Sequence, residues 1–288
     1  MSAGAMTIRR ARAEDAGESG RICYEAFRTI SMQHNFPPDF PNPEVATQVL
    51  TRMFSHAGFF CVVAEQDGEI AGSNCLDERS GIAGLGPITV NPAVQNHGVG
   101  RALMKAVMDQ AAEKRFAGVR LVQAAFHNRS LSLYTKLGFD VKEPLSAMQG
   151  PPVGKKIEGC AVRPAQQPDV EACGNICRRV HGHERSGELR DAIGQGAAMV
   201  VERGGRITGY STGLNFFGHS VGEANLDVQA LIASAEEFQG PGILVPTRNA
   251  ALFRWCLENG LRVTQPMTLM TMGLYNEPTG AYLPSVLF

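Results

Sequence analysis

The chain has 288 residues, 44% hydrophobic and 19% charged, which is enough for two domains of ordinary size. Its formal net charge of -1 does not suggest a nucleic-acid polymer as partner, since phosphate binding wants a basic face, though a local basic patch can exist on a neutral chain. No apolar run nears the roughly 20 residues that span a bilayer, and the opening MSAGAMTIRRARAEDA has no apolar leader core, so a cytoplasmic protein with no nucleic-acid or membrane partner is expected.

Residues 8–23, IRRARAEDAGESGRIC, predict a short strand and then a helix with Asp15 in its first turn, where a carboxylate favours the helix dipole. The segment TISMQHNFPPDFPNPEV (29–45) holds Phe36, Phe40, His34 and four prolines. Proline fixes φ, so such a loop holds a shape without regular structure. It reads either as a wall of an acceptor pocket, with His34, Phe36 and Phe40 as substrate contacts, or as a plain connector. VVAEQDGEIAGS (62–73) predicts two strands around a turn at Gly68. Asp77 and Glu78 follow, in a stretch, DERSG, that reads as a solvated hairpin.

Residues 85–112, LGPITVNPAVQNHGVGRALMKAVMDQAA, predict a strand (Ile88, Thr89, Val90), a turn at Asn91–Pro92, a glycine loop and an amphipathic helix. A loop of this kind can present backbone N–H groups to an anion at the helix N-terminus. Gly98 and Gly100 have no Cβ to hinder the approach, and Arg101 can add a charge. A tight turn without a ligand explains the same glycines. No Gly-Lys-Ser/Thr follows, so this is not a nucleotide P-loop.

LVQAAFHNRSLSLYTKLGFDVKEP (121–144) predicts strand, helix, a left-handed Gly138 and strand. GPPVGKK, within 151–157 and its flank, predicts a linker. The pattern then recurs. VRPAQQPDVEACGNIC (162–177) matches 8–23 at an offset of 154, pairing Arg9 with Arg163, Asp15 with Asp169 and Gly20 with Gly174. MVVERGGRITGYS (199–211) matches 62–73, and LVPTRNAALFRWCLENGLRVTQP (244–266) matches 121–144, with Gly260 in the place of Gly138. The fold class is therefore α/β with mixed sheets: two tandem units, 1–150 and 158–288, each a sheet flanked by helices on both faces. The pair predicts an intramolecular pseudo-dimer, with the chain itself a monomer or homodimer.

The seven cysteines are odd in number and scattered, and read as reduced, mostly buried thiols. Cys173 and Cys177 are four apart on a helix. They supply only half a ligand set, so no metal is expected.

Two elements in the first unit carry a family resemblance. Val90-x-Pro92-x-x-Gln95-x-x-Gly98-x-Gly100-Arg101-Ala102-Leu103 resembles the acetyl-CoA signature of the GCN5-related N-acetyltransferase (GNAT) superfamily. Asn128 through Phe139 resembles that family's N-x-x-[AS]-x-x-[LF]-Y-x-x-x-G-F element. Ser130 and Ser132 stand one place either side of its small-residue position. The resemblance implies that Ile88, Thr89 and Val90 pair with pantetheine. It implies that Gln95, Asn96, His97, Gly98, Val99, Gly100, Arg101 and Ala102 form the pyrophosphate loop. Asn128 and Ser130 then meet the pantetheine arm, and Tyr134 lies near the thioester sulfur as a general acid, with Glu78 or Asp77 as base. The implied activity is transfer of an acetyl group from acetyl-CoA to a primary amine of a small molecule or peptide, by direct attack in a ternary complex. A non-catalytic acyl-CoA sensor or scaffold, or an acyltransferase using another acyl-CoA, fits the same motifs. In the second unit NLDVQALIASAEEFQGPG (225–242) lacks the glycine loop, and Cys256 replaces Tyr134, so a degenerate site is expected there.

Overall fold

The computed structural model describes residues 6–95 and 97–287. In chain order the first elements are β1 (Met6–Arg10), α1 (Ala16–Gln33), α2 (Pro43–Ser55), β2 (Phe59–Gln66), β3 (Glu69–Asp77), β4 (Ile82–Leu85), β5 (Thr89–Val90) and α3 (Val99–Glu113). Next come β6 (Gly118–Ala124), α4 (Asn128–Lys136), β7 (Asp140–Gln149), β8 (Cys160–Pro164), α5 (Val170–His181) and α6 (Ser186–Gly194). The remainder are β9 (Met199–Arg203), β10 (Arg206–Ser211), β11 (Ser220–Gly222), α7 (Asn225–Ala233), β12 (Ile243–Pro246), α8 (Ala250–Glu258), β13 (Arg262–Gly273) and β14 (Ala281–Leu283).

The chain forms two compact units: residues up to Glu78 with Ala83–Val119, and Arg79–Ile82 with everything from Arg120 onward. In the first, β1, β2, β3 and β4 lie in that order, and β5 pairs with β3. The hairpin between β2 and β3 turns through Asp67 (φ 55°) and Gly68 (φ 82°), the left-handed pair that matches strand twist. Asn42 caps α2 by accepting from the Val45 N–H at 2.9 Å, with Pro43 in the first helical position. Gly20 lets α1 approach Thr47 of α2, since a Cβ there would collide with it. Ile22, Leu50, Val63, Leu76, Leu103 and Val107 are buried in the core.

Cys61 and Cys75 face each other across β2 and β3, Cα atoms 4.1 Å apart, and form a disulfide. This corrects the expectation of reduced thiols throughout. A sequence separation of 14 gave no sign of the pairing; the hairpin register creates it. The other five cysteines are free.

The second unit contains two layers of strands. One runs β14, β11, β10, β9, β8, antiparallel at each pair. The other runs β6, β13, β7, β12. Here β7, from the first half of the sequence, lies between two strands from the second half. Asp140 to Gln149 pair with Thr271 to Arg262, and Leu145 to Met148 pair with Pro246 to Ile243.

The internal repeat holds at atomic detail. Arg9 donates to both Asp15 oxygens at 2.7 and 2.9 Å and to Glu65 at 2.8 Å. Arg163 does the same to Asp169 at 2.7 and 3.0 Å and to Glu202 at 2.8 Å. In each case the Asp also accepts a backbone N–H three residues upstream, from Arg12 or Gln166, at 2.8 Å. Gly204 (φ 60°) and Gly205 (φ 75°) make the same hairpin turn as Asp67–Gly68.

Candidate functional site

The glycine loop is built from a broken strand and an uncapped helix. After β4 the chain passes a cis Gly86–Pro87 bond and resumes as β5, which stays bonded to β3: Gly72 pairs with Val90 and Ser73 with Thr89. Gly72 makes this close approach feasible, because a Cβ there would collide with the Thr89 carbonyl. Gly209 plays the same part in the repeat, where a Cβ would meet the Val221 carbonyl at 2.8 Å. The Asn91 N–H donates to Ala71 at 2.9 Å. Strand alternation therefore turns the Val90 N–H and C=O away from β3. The Val90 carbonyl accepts from the Gln95 amide at 3.3 Å, which folds the loop back on its strand.

Gly98 precedes α3 at φ 85° and has no side chain to cap it. The first helical bond is donated by Ala102 to Gly98. The N–H groups of Val99, Gly100 and Arg101 therefore lie in the first turn, where no intrahelical acceptor exists. Among the described residues nothing lies within 4 Å of where a Gly98 Cβ would stand. The glycine is required by its backbone angle and leaves the helix end accessible. Val99 is buried and anchors the turn, while His97, Gly98 and Arg101 are exposed. Ile88 is half-buried, Thr89 is buried and Ala102 is half-buried. Asn96 lies outside the described residues.

Asp77 ends β3, and Glu78 follows it on the opposite face. Asn74 and Glu78 share the face covered by α3: the Asn74 amide reaches the Leu103 carbonyl at 3.5 Å, and Gln110 donates to the Glu78 carboxylate at 2.7 Å. Asp77 is buried on the face away from α3, 5% exposed. Of the expected acceptor contacts, Phe40 packs edge-on against Phe27 with centroids 5.9 Å apart and is buried. Phe36 is half-buried, and His34 is exposed with Nδ1 3.0 Å from the Ile30 carbonyl.

The second motif is in the other unit, on α4. Asn128 is exposed at the helix start, Ser130 lies within hydrogen-bond reach of Gln123 on β6, and Tyr134 is buried one turn further on. Tyr134 stacks edge-on with Phe139 at 6.3 Å. Burial pushes its phenol well above the ordinary tyrosine range. Gly138 ends this helix at φ 97°, as Gly260 ends α8 at φ 89°.

In the repeat, the helix equivalent to α3 is α7, and its start is already filled. Asp227 is fully buried in its first turn and accepts from the Ala224 N–H at 2.9 Å, the Thr208 hydroxyl at 2.6 Å and Arg203 at 2.9 and 3.2 Å. Asn225 and Asn249, at the starts of α7 and α8, exchange amide hydrogen bonds at 3.1 and 2.7 Å. A carboxylate stands where an incoming phosphate would need bare N–H groups, and an amide clasp joins the two helix starts. Cys256 is buried in the core beside half-buried Trp255.

Residues 25–139 match the family model described as "Acetyltransferase (GNAT) family". That stretch is similar to the acetyltransferases of this family. Over nearly its full length the chain has the fold of a protein from Pyrococcus horikoshii described as an acetyltransferase: 18% identity, 96% of this chain and 94% of that one covered, TM-score 0.72. It is similar also to a GCN5-related N-acetyltransferase from Sphaerobacter thermophilus, with 15% identity, 94% and 96% covered, and TM-score 0.63. No curated protein matches the sequence. Among the described residues no helix is long and apolar enough to cross a membrane.

Sequence reasoning passed over Gly72, Gln123 and Asp227. Their signals were present but small: a glycine or an amide inside an apolar strand, and an Asp three residues into a helix.

Proposed function

We propose that the GNAT domain transfers an acetyl group from acetyl-CoA to a primary amine, by direct attack in a ternary complex in the cytoplasm. The observation that carries this reading is the uncapped first turn of α3 behind Gly98, which suits a diphosphate in both charge and access. Val99, Gly100 and Arg101 hold the pyrophosphate through backbone N–H groups, and Arg101 adds its charge. The Val90 N–H, turned away from β3, donates to the oxygen that gains charge as the amine nitrogen attacks the thioester carbonyl. Asp77 or Glu78 takes the proton from the attacking amine. Tyr134 gives its proton to the sulfur as the C–S bond breaks.

A screen of amines, amino acids, polyamines, aminoglycosides and peptides for acetyl-CoA-dependent thiol release tests the reading. Release with one class establishes the acceptor. CoA binding without release across the panel would instead identify an acyl-CoA sensor.

The buried Asp227 and the Asn225–Asn249 clasp support a single donor site. Calorimetric titration should give one CoA per chain, and a stoichiometry of two would overturn the degenerate reading of the second half.

A further inference from the structure

Gln123 is the one amide in the otherwise apolar stretch Val122–Ala125 and is 5% exposed. Its neighbours Val122 and Ala124 pack against Leu145, Ala147 and Phe216. Alternation along β6 sends Gln123 to the opposite face, where α4 meets it. The Ser130 hydroxyl donates to Gln123 Oε1 at 3.1 Å, with the His127 carbonyl at 2.9 Å as its other acceptor. The other end of the amide, Nε2, is buried without a hydrogen-bond partner among the described residues. A buried donor of this kind is costly unless something accepts from it. Ser130 and Tyr134 are four residues apart and share a face of α4. The amide is thus fixed at one end beside the helix face that carries Tyr134.

We infer that Gln123 is a further donor-binding residue, its Nε2 offered to a carbonyl oxygen of the pantetheine arm of acyl-CoA and its orientation set by Ser130. This rests on the acyl-CoA reading above. Pantetheine carries two amide carbonyls, whereas the adenosine phosphate portion carries none. Loss of the Gln123 donor should therefore be felt by one half of the molecule and not by the other.

The test titrates wild type and Gln123→Leu with CoA and with 3′-phosphoadenosine 5′-diphosphate, which has no pantetheine. The variant should bind CoA about tenfold more weakly, the loss of one buried hydrogen bond, with nucleotide affinity unchanged. Gln123→Glu keeps the shape but loses the N–H donor. It should show the same selective loss and serves if the leucine variant does not fold. Unchanged CoA affinity, or equal weakening of both ligands, overturns the assignment. A wild type that binds the nucleotide and CoA equally also overturns it, since pantetheine then contributes nothing. A wild type that binds neither removes the acyl-CoA reading itself.

Discussion

Tyr134→Phe should lower turnover by about two to three orders of magnitude, the usual worth of a positioned proton donor, while CoA affinity stays nearly unchanged. The substitution deletes one oxygen and keeps the ring, so the edge-on contact with Phe139 survives. Burial raises the phenol's pKa, which works in two ways. The proton stays on the oxygen at every pH used for assay, so the group is in the acid form and contributes no alkaline limb to the rate profile. A phenol so held is also a weak acid, and would not protonate an ordinary thiolate in water. The same loss of solvent raises the basicity of a thiolate leaving beside it, so the transfer is favoured only as the C–S bond opens. Steady-state kinetics with a parallel CoA titration decide the matter. If kcat and affinity fall together, Tyr134 is a packing residue and the acid lies elsewhere.

The reading of the chain from its sequence succeeded where a signal was local. The repeat Arg9-to-Asp15 and Arg163-to-Asp169 was legible because each Asp satisfies an N–H three residues upstream and an Arg six residues upstream, all within one stretch. Gly138 and Gly260 were legible because a left-handed helix end admits few other residues. The glycine loop was legible for the same reason. What the sequence hid is long-range. Nothing in Asp140–Gln149 says that its partners are β12 and β13, more than ninety residues away, because an apolar strand carries no address. The Cys61–Cys75 bond depends on hairpin register. That Asp77 and Glu78 face opposite sides of the sheet needed strand alternation anchored by α3, since adjacent carboxylates look alike in sequence until one face is assigned.

These hidden features bear on the second half of the chain. Its α7 keeps the position of α3 but fills the helix start with Asp227, bound by Arg203 and Thr208. The same unit holds β6 and α4 together with β13. The strand that gives way to Tyr134's helix is thus packed by a strand from the repeat: the Ala125 N–H donates to Pro266 at 3.0 Å, and Met272 lies 3.4 Å from where a Gly138 Cβ would stand. The sheet beside α4 is thus built in part from the repeat.

Acidification should destabilise this second unit from about pH 6.5 downward. Its core contains a buried polar chain. Arg185 donates to both Glu188 oxygens at 2.7 Å, His219 Nδ1 lies 3.3 Å from Glu188, and His219 Nε2 lies 3.0 Å from the Tyr210 hydroxyl. Burial, helped by the Arg185 charge and opposed by Glu188, pushes His219 down to about 4. Burial likewise pushes His183 down to about 3 and His181 well below its usual value. Burial alone would raise the Glu188 carboxyl, but Arg185 and His219 hold it well below the ordinary range. For each histidine the folded state prefers the neutral ring, so the unfolded chain binds more protons as pH falls. Stability is full above the ordinary histidine value near 6.5 and declines from there toward 4. At 1.36 kcal/mol per unit, His219 alone accounts for roughly 3 kcal/mol across that window, and His183 and His181 act in the same direction. The fluorescence of Trp255, which packs against this unit's core, should show the urea midpoint falling steadily from pH 7 to pH 5. His219→Phe should be less stable at pH 7.5, having lost two hydrogen bonds, but should show a shallower dependence on pH. Glu188→Gln should be worse at every pH, by about 3–5 kcal/mol, because it leaves the Arg185 charge buried with no carboxylate opposite. A midpoint that does not move between pH 7 and pH 5 would mean that these rings take up protons in the folded protein, and that the core admits charge where its packing says it does not.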